Sequence, residues 1–566
     1  MSANARRLAF TPKLITVLGE GYGPALLRRD ALAGLTVAIV ALPLAMALAI
    51  TSGASPDKGL VTAVVAGFLI SLLGGSRVQI GGPTGAFVVV VFNVIAQHGY
   101  DGLLLATLMA GFMLIVAGYS GLGSLVRFIP QPVVTGFTAG IAVIIASSQV
   151  KDFLGLSMAS VPADFLPKWE AYFAALDTMR IGTLAIGAGS LALIVAMRRW
   201  APRLPAFLIA VIAASILVTL LHLPVETIGS RFPDLPTGLP APALPDISLL
   251  KVQSVMPSAF TIAFLAGIEA LLSAVVADGM IGSRHRSNQE LVGQGFANIA
   301  SALFGGLPAT GAIARTATNI KAGGITPVAG MLHAAFLLLF MLFASGLMAY
   351  VPLAALAAIL FMVAWGMSEH HRFLQLLRMP NGDRALLLLT FGLTVLVDLT
   401  VAIGVGVTLA SLVFMMRMSR TVEIASDMPG AAREDDAEEI GQRDALPEGV
   451  EIFRIDGPIF FGVANDLLDT LRRIGRAPKV IILRMRRVSL LDASGVTTIG
   501  DMVSQASAAG TQVILSGVRA QPLAMLERVS LGLQSRRVIH CADLPEALRV
   551  AAAITAAPPA ARTRLN

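Results

Sequence analysis

The chain has 566 residues, 55% of them hydrophobic and only 14% charged, with a net charge of +7 and a mean hydropathy of +0.77. A soluble domain carries about a quarter charged residues, so most of this chain must have a solvent other than water. The positive charge does not indicate a nucleic-acid partner, because the basic residues sit in short loops beside apolar runs, and the single cysteine, Cys541, excludes an internal disulfide.

The segment 1–30 carries Arg6, Arg7, Lys13, Arg28 and Arg29 but no short apolar core with a small-residue cleavage site. It is read as a cytoplasmic N-terminal segment, without a cleavable signal peptide. From Ala31 to Met418, apolar runs recur in series, most of them long enough to cross a bilayer as a helix. A lone run could be a core helix, but a dozen in series cannot. The chain therefore reads as a polytopic α-helical membrane protein with about fourteen spans. These are placed at 31–50, 59–73, 83–97, 102–119, 132–150, 181–198, 204–222, 257–278, 289–304, 311–321, 326–349, 351–367, 384–398 and 400–418. With the N-terminus inside, cytoplasmic loops hold Arg77, Arg127, Arg198, Arg199, Arg284, Arg286, Arg372 and Arg417, whereas the opposite loops hold fewer, such as Lys58, Lys151 and Arg231. That bias places both termini in the cytoplasm.

One phrase is written twice. "GGPTGAF" at Gly81–Phe87 and "GGLPATGAIAR" at Gly305–Arg315 both run from paired glycines through proline to Thr-Gly-Ala. The stretches before them, "GLVTAVVAGFLISLLGG" (Gly59–Gly75) and "ELVGQGFANIASALFGG" (Glu290–Gly306), align without a gap. Span two thus matches span nine, and span three matches span ten. Seven spans separate the copies, an odd number, so the halves (about 31–222 and 257–418) lie in opposite orientation. Inverted repeats with short Gly/Pro-interrupted segments at matching places point to a site at the bilayer midplane. Ile80–Pro83 reads as extended, with Pro83 in a first helical turn. Half-helices near 84–97 and 311–321 would begin in mid-membrane with free N–H groups and the positive ends of their dipoles. Two such N-termini facing each other form a site for an anion.

Near the middle of span eight stands Glu269. A charge there costs about 2.5–3.5 kcal/mol even on the gentler insertion scale. It is therefore read as a proton-coupling group, or as the partner of Arg315 in an ion pair joining spans eight and ten. His333 reads as a packed, hydrogen-bonded histidine, and Asp278 and Asp398 as span-end residues. "GVGV" at Gly404–Val407 reads as a close helix contact, and Arg198–Arg199 as facing lipid headgroups.

After Arg420 the composition changes. Residues 421–447 are acidic, as expected of a linker. Four strand candidates follow, "GVEIFRIDGPIFFG", "KVIILRMRRVSLLD", "TQVILSG" and "RRVIHCAD", interleaved with helical patterns at 464–475, 494–509, 520–530 and 544–553. This alternation predicts a small α/β domain over 448–555, with a disordered tail at 556–566. "LDASG" (Leu491–Gly495) reads as a helix start capped by Ser494 or Asp492.

The strings "ALPLAMALAI", "GGSRVQIGGPTGAFVV", "IEALLSAVVADGM", "SNQELVGQGFANI", "FGGLPATGAIARTATNIKAGG" and "LDASG" resemble the sulfate permease (SulP) family, called solute carrier family 26 in animals. The resemblance covers almost the whole chain. "KDFLGL", "MVAWGMSE" and the "AIAR" segment look closest to the bacterial four-carbon dicarboxylate (DauA-like) branch. It implies seven-plus-seven inverted spans divided into core and gate domains, homodimers, elevator-like alternating access and a cytoplasmic STAS domain that could bind a protein partner. In anti-sigma-factor antagonists with this domain, the phosphorylated Ser directly follows Asp. Ala493 stands there in this chain, so no phosphoswitch is expected. Mapped here, the family's anion site falls on Leu44 and Leu48 in span one, Pro83, Thr84 and Gly85 in span three, and Gly311, Ala312, Ala314 and Arg315 in span ten. Members with a polar residue at the Leu44 position can hydrogen-bond an anion there, which leucine cannot. Bicarbonate–sodium members carry Asp at the Glu269 position and hydroxyls at those of Ser273 and Ile313. Glu269 and Ser273 therefore make an incomplete sodium-like site, and no metal or cofactor is expected.

The reading is a secondary active transporter of small inorganic or carboxylate anions in the bacterial inner membrane. It would couple protons to uptake of succinate- or fumarate-type dicarboxylates or sulfate. The alternatives are a sulfate or bicarbonate transporter or exchanger and, more distantly, a membrane-anchored STAS scaffold. No Walker phosphate loop, metal cluster or nucleophile triad suggests an enzyme.

Overall fold

The computed structural model describes residues 10–124, 130–158, 161–162, 164–202, 204–233, 238–397, 399–420, 422–426, 447–460, 478–532, 535 and 537–556. The chain forms two compact units, Met1–Thr408 and Leu409–Asn566.

In the first unit, a short helix α1 (Lys13–Gly19) precedes α2 (Pro24–Thr51), α3 (Pro56–Leu73) and strand β1 (Gly81–Gly82). A single 3-10 turn, Gly85–Phe87, leads into α4 (Val88–Tyr119), which Gly99 interrupts with a non-helical φ of 71° and ψ of 178°. Spans three and four therefore meet at one glycine. Next come α5 (Gln131–Leu154), α6 (Phe165–Ala174), α7 (Ile181–Trp200), α8 (Ala206–Leu220), α9 (Leu249–Ile281) and α10 (Ser287–Leu303). Strand β2 (Thr310–Gly311) leads to α11 (Ile313–Lys321), α12 (Pro327–Phe343), α13 (Leu353–Met367), α14 (His370–Leu377), α15 (Asn381–Leu396) and α16 (Leu399–Ser419). Among the described residues, eight helices are long and apolar enough to cross a membrane. Proline opens α2, α3 and α12 at the first helical position, where its missing N–H leaves nothing unsatisfied. Left-handed glycines, Gly155 (φ 67°) and Gly282 (φ 67°), close α5 and α9.

Two buried carboxylates tie the repeats together. Glu290, 0% exposed on α10, accepts N–H bonds from Gly75 (2.8 Å) and Ser76 (3.1 Å) beyond the end of α3, and another from Gln294 (2.9 Å). Asp30 on α2 accepts from the backbone of Ile325 (3.0 Å) and Thr326 (3.3 Å) and from the Thr326 hydroxyl (2.5 Å), so it holds the start of α12. Each carboxylate satisfies backbone donors that lipid could not.

Several expectations change. His333 is fully buried on α12, but neither ring nitrogen has a hydrogen-bond partner among the described residues. Asp278 does more than end a span: it pairs with His285 Nδ1 at 2.7 Å and accepts from Ser283 at 2.9 Å. Asp398 lies outside the described residues. Within "GVGV", a Cβ on Gly406 would come within 2.9 Å of Thr390 and Val133, whereas Gly404 faces open space. Arg198 lies 5.0 Å over the Phe207 ring.

The second unit carries a sheet in the order β3 (Glu423–Ser426), β4 (Val450–Asp456), β5 (Val480–Arg487), β6 (Gln512–Ser516) and β7 (Val538–Cys541). β3 pairs antiparallel with β4, and the other pairs are parallel. Strand β3 falls inside the stretch read as linker, so 423–426 belong to the sheet. Residues 421 and 427–446, the helix expected at 464–475 and the tail from 557 lie outside the described residues. Helices α17 (Ala493–Ala508), α18 (Ala520–Glu527) and α19 (Leu544–Ala556) complete the unit. Parallel strands are buried on both faces, and here one face packs Leu483 and Leu515 with Ile499 while the other packs Ile482 and Ile514 with Ala547. Asp492, not Ser494, caps α17, accepting from Gly495 N at 2.8 Å.

Candidate functional site

The repeated phrase folds into two short extended segments that pair with each other. Gly81 stands opposite Gly311 and Gly82 opposite Thr310, antiparallel. The ladder continues through Ala312 N, which donates to Ile80 O at 2.8 Å, and Ile80 N, which donates to Thr316 Oγ1 at 3.0 Å. Glycine is required here by contact. A Cβ on Gly81 would fall 2.2 Å from Ile70 Cδ1, and one on Gly311 1.5 Å from Gln79 Nε2. Gly82 has φ of 146° as well, and a Cβ there would lie 2.5 Å from Arg315 Nη1.

Each extended segment feeds a helical start that lacks a side-chain cap. Thr84 precedes the Gly85–Phe87 turn, and Ala312 precedes α11. Alanine has no capping group. Thr84 has one, but its hydroxyl donates to Glu269 Oε2 at 2.7 Å. The first N–H groups of both helical starts therefore remain without the partner a cap would supply. Pro83 lies outside the helix rather than in its first turn, and its carbonyl accepts from Arg315 Nη2 at 3.0 Å.

Arg315 is only 2% exposed, and its Nε and Nη1 have no hydrogen-bond partner among the described residues. Glu269 and Arg315 do not form the ion pair that the sequence allowed: the carboxylate turns to Thr84, and the guanidinium turns to the Pro83 carbonyl. A buried guanidinium with two nitrogens uncommitted is a strong attractor for an anion, since Coulomb attraction grows as the effective dielectric falls.

Of the other residues singled out by sequence, Leu44 and Leu48 are buried on α2 in the same apolar cluster as Ala86 and Phe87. Gly85 sits against span five and the end of α13, where a Cβ would come within 2.7 Å of Ile145 Cδ1 and 3.0 Å of Met367 Sδ. Ala314 is exposed at the first turn of α11. Ser273 lies 3.4 Å from Thr316 Oγ1, hydroxyl to hydroxyl, and is buried. It thus faces α11, while Glu269, one turn away, faces Thr84. Among the described residues, no group of three or more His, Cys, Asp or Glu side chains could hold a metal ion.

The sequence reading missed the polar residues that hold the paired segments. Thr310 Oγ1 donates to Ala266 O at 2.7 Å, and Gln79 Nε2 donates to Ala270 O at 3.2 Å, so both segments hang from α9. Asn319 Nδ2 reaches Val78 O at 2.8 Å. Asn298 clamps Ala309 through both backbone groups, at 2.8 Å each. The available signal was amide and hydroxyl side chains inside apolar spans, which lipid does not tolerate unpaired.

A family model described as "Sulfate permease family" matches residues 27–390, and one described as "STAS domain" matches residues 445–535. YvdB of Bacillus subtilis (strain 168) is 40% identical over 517 residues, spanning 90% of this chain and 95% of YvdB. The bicarbonate transporter BicA of a Picosynechococcus species is 32% identical over 530 residues, spanning 89% of this chain and 91% of BicA. A solved structure described as "The overall structure of SLC26A9" superposes with a TM-score of 0.84 at 17% identity, covering 97% of this chain and 94% of that one. That last likeness speaks to the fold alone.

Proposed function

The chain belongs to the sulfate permease family, and we propose that it is a secondary active transporter that takes small anions across the bacterial inner membrane. Members of this family are transporters rather than enzymes. One observation carries the reading: two uncapped helical starts are tied together by the Gly81–Gly311 pairing, with the uncommitted Arg315 nitrogens beside Gly82. Helix N-termini of this kind bind anions, and a scaffold needs neither them nor a buried free guanidinium.

The substrate-binding residues in this reading are Pro83, Thr84, Gly85, Gly311, Ala312, Ala314 and Arg315, with Leu44 and Leu48 as an apolar wall. Such a wall suits a carbon-containing anion, which favours a four-carbon dicarboxylate as cargo; sulfate is the other proposed cargo, supported by the 40% identity with YvdB, described as a "Putative sulfate transporter". Glu269 is the proposed proton-coupling group. Its link to Thr84, the residue at the mouth of the first half-helix, connects its protonation to the anion pocket. Both termini are placed in the cytoplasm, the membrane unit divides into core and gate, and the working form is a homodimer. The STAS domain is the proposed docking point for a cytoplasmic protein.

Bicarbonate is the second reading, favoured by the 32% identity with BicA. Uptake of labelled succinate, fumarate, sulfate and bicarbonate into proteoliposomes, under imposed proton or sodium gradients, separates the two. Succinate or sulfate accumulation driven by protons is expected. Accumulation of bicarbonate alone, driven by sodium, would replace the first reading with the second. Uptake of none of the four would end both.

A further inference from the structure

A cavity with charged residues in its lining lies in the membrane unit, beside the first turns of α4 and beyond Gly85. It measures about 150 Å³ and is bounded by the end of α2 (Ile50, Thr51), the first turns of α4 (Val88 to Asn93), and Ser148 and Lys151 on α5. A water needs only about 10–15 Å³ of such space, so a small anion and several waters fit. Because α2 runs from Pro24 to Thr51 in one pass, the cavity opens at the membrane face opposite the start of α2. Asn93 is eight residues beyond Gly85, about 12 Å along the helix. The cavity therefore stands between that face and the anion pocket.

Three cations line it, Lys151, Lys168 and Arg231, against one carboxylate, Asp152. Arg231 is balanced by Asp152 at 2.8 Å and Glu226 at 2.6 Å. Lys151 donates to Met158 O at 3.3 Å. Lys168 differs from both. It is 6% exposed, yet its ammonium has no hydrogen bond or ion pair among the described residues. Burial holds it below the ordinary lysine value, with Asp164 opposing. The helix that carries it, α6, is tied to α5 through the neighbouring Trp169, whose indole N–H donates to Ser147 Oγ at 3.2 Å. A largely buried lysine that lines a cavity, with no carboxylate within ion-pair distance of its ammonium among the described residues, can take an anion there.

We propose that this cavity is an outer anion station, in which Lys168 receives a small oxyanion or carboxylate before it passes to the half-helix pocket. The station rests on the transport reading given above. With Arg231 balanced by its carboxylates, Lys151 and Lys168 leave the lining with an excess of positive charge, and clefts dominated by one sign of charge raise the local concentration of the opposite ion by about 10- to 1,000-fold. Its contribution is therefore to apparent affinity and on-rate rather than to turnover.

The test uses the full chain in proteoliposomes, with Cys541→Ser removing the one native thiol and Lys168→Cys placed in that background. KM is read for whichever of the four anions the wild type takes up. Loss of the ammonium should raise KM about tenfold, with the maximal rate changed less than twofold. Modification of the same folded protein by 2-aminoethyl methanethiosulfonate returns a positive charge and should return KM to near its starting value. The 2-sulfonatoethyl reagent adds a negative charge and should raise KM further. If the wild type transports but all these forms share its KM, or if both reagents act alike, the station is wrong and the transport reading stands. If the wild type takes up none of the four anions, the transport reading fails and the station fails with it.

Discussion

Gly81 and Gly311 face each other across an antiparallel bridge that joins the two halves of the membrane unit. Neither position has room for a side chain, because Ile70 closes over one and the Gln79 amide over the other. Gly311→Val should therefore cut anion uptake at least tenfold while the protein still inserts. Gly85→Val should do the same through Ile145 and Met367. Gly189→Ala is the control, since nothing lies within 4 Å of its Cβ position. It should transport normally and gain about 0.5–1 kcal/mol of helix stability. Normal uptake by Gly311→Val would show that the bridge does not build the pocket.

Arg315 offers a second test. Arg315→Ala removes the buried charge and leaves the Pro83 carbonyl without its donor. Arg315→Lys keeps the charge without the planar fork. KM should rise most in Arg315→Ala and by an intermediate amount in Arg315→Lys. Equal KM values in the two variants would show that charge at this position does not govern binding.

Glu269→Gln keeps the size of the side chain and an oxygen able to accept from Thr84, but it cannot titrate. Uptake driven by an inward proton gradient should be lost, while anion counterflow persists. Wild-type accumulation under a proton gradient would remove Glu269 as the coupling group.

Glu290 should prove structural. Glu290→Ala strands the N–H groups of Gly75 and Ser76 in a place without water. Each unsatisfied donor costs about 1–3 kcal/mol, so the variant should lose about 3 kcal/mol. A clear fall in the thermal unfolding midpoint in detergent is expected, with KM in the surviving folded fraction unchanged. A midpoint equal to that of the wild type would remove the carboxylate from its holding role.

In the second unit, burial and the acidic neighbours Glu546 and Asp543 push the Cys541 thiol above its ordinary value of 9.0. Alkylation needs the thiolate, which forms as pH rises. Labelling of the folded protein by N-ethylmaleimide should therefore be slow at pH 7 and should increase only at higher pH than in the unfolded chain. Equal rates in folded and unfolded protein would contradict this.

Much of the molecule was legible because the membrane writes strong signals. Long apolar runs and an inverted, gap-free repeat follow from the demand that backbone groups be satisfied inside the bilayer. The alternation of β-rich and helical segments in the second unit is equally local, and it located four of the five strands. That the two glycine phrases face each other was legible, but that they pair as antiparallel strands came only from the structure. What the sequence by itself could not determine were choices among partners of similar chemistry. Glu269 could have met Arg315, but tertiary packing brought Thr84 to the carboxylate and the Pro83 carbonyl to the guanidinium. His333 could have found a partner, but among the described residues packing brings none to either ring nitrogen. Lys168 carries no signal in the sequence, and only the fold buries it beside a cavity. Periodicity and composition report which face of a segment avoids water, a property each segment carries alone. Which donor meets which acceptor is set by angles and distances between segments far apart in sequence, and only the assembled tertiary structure fixes those.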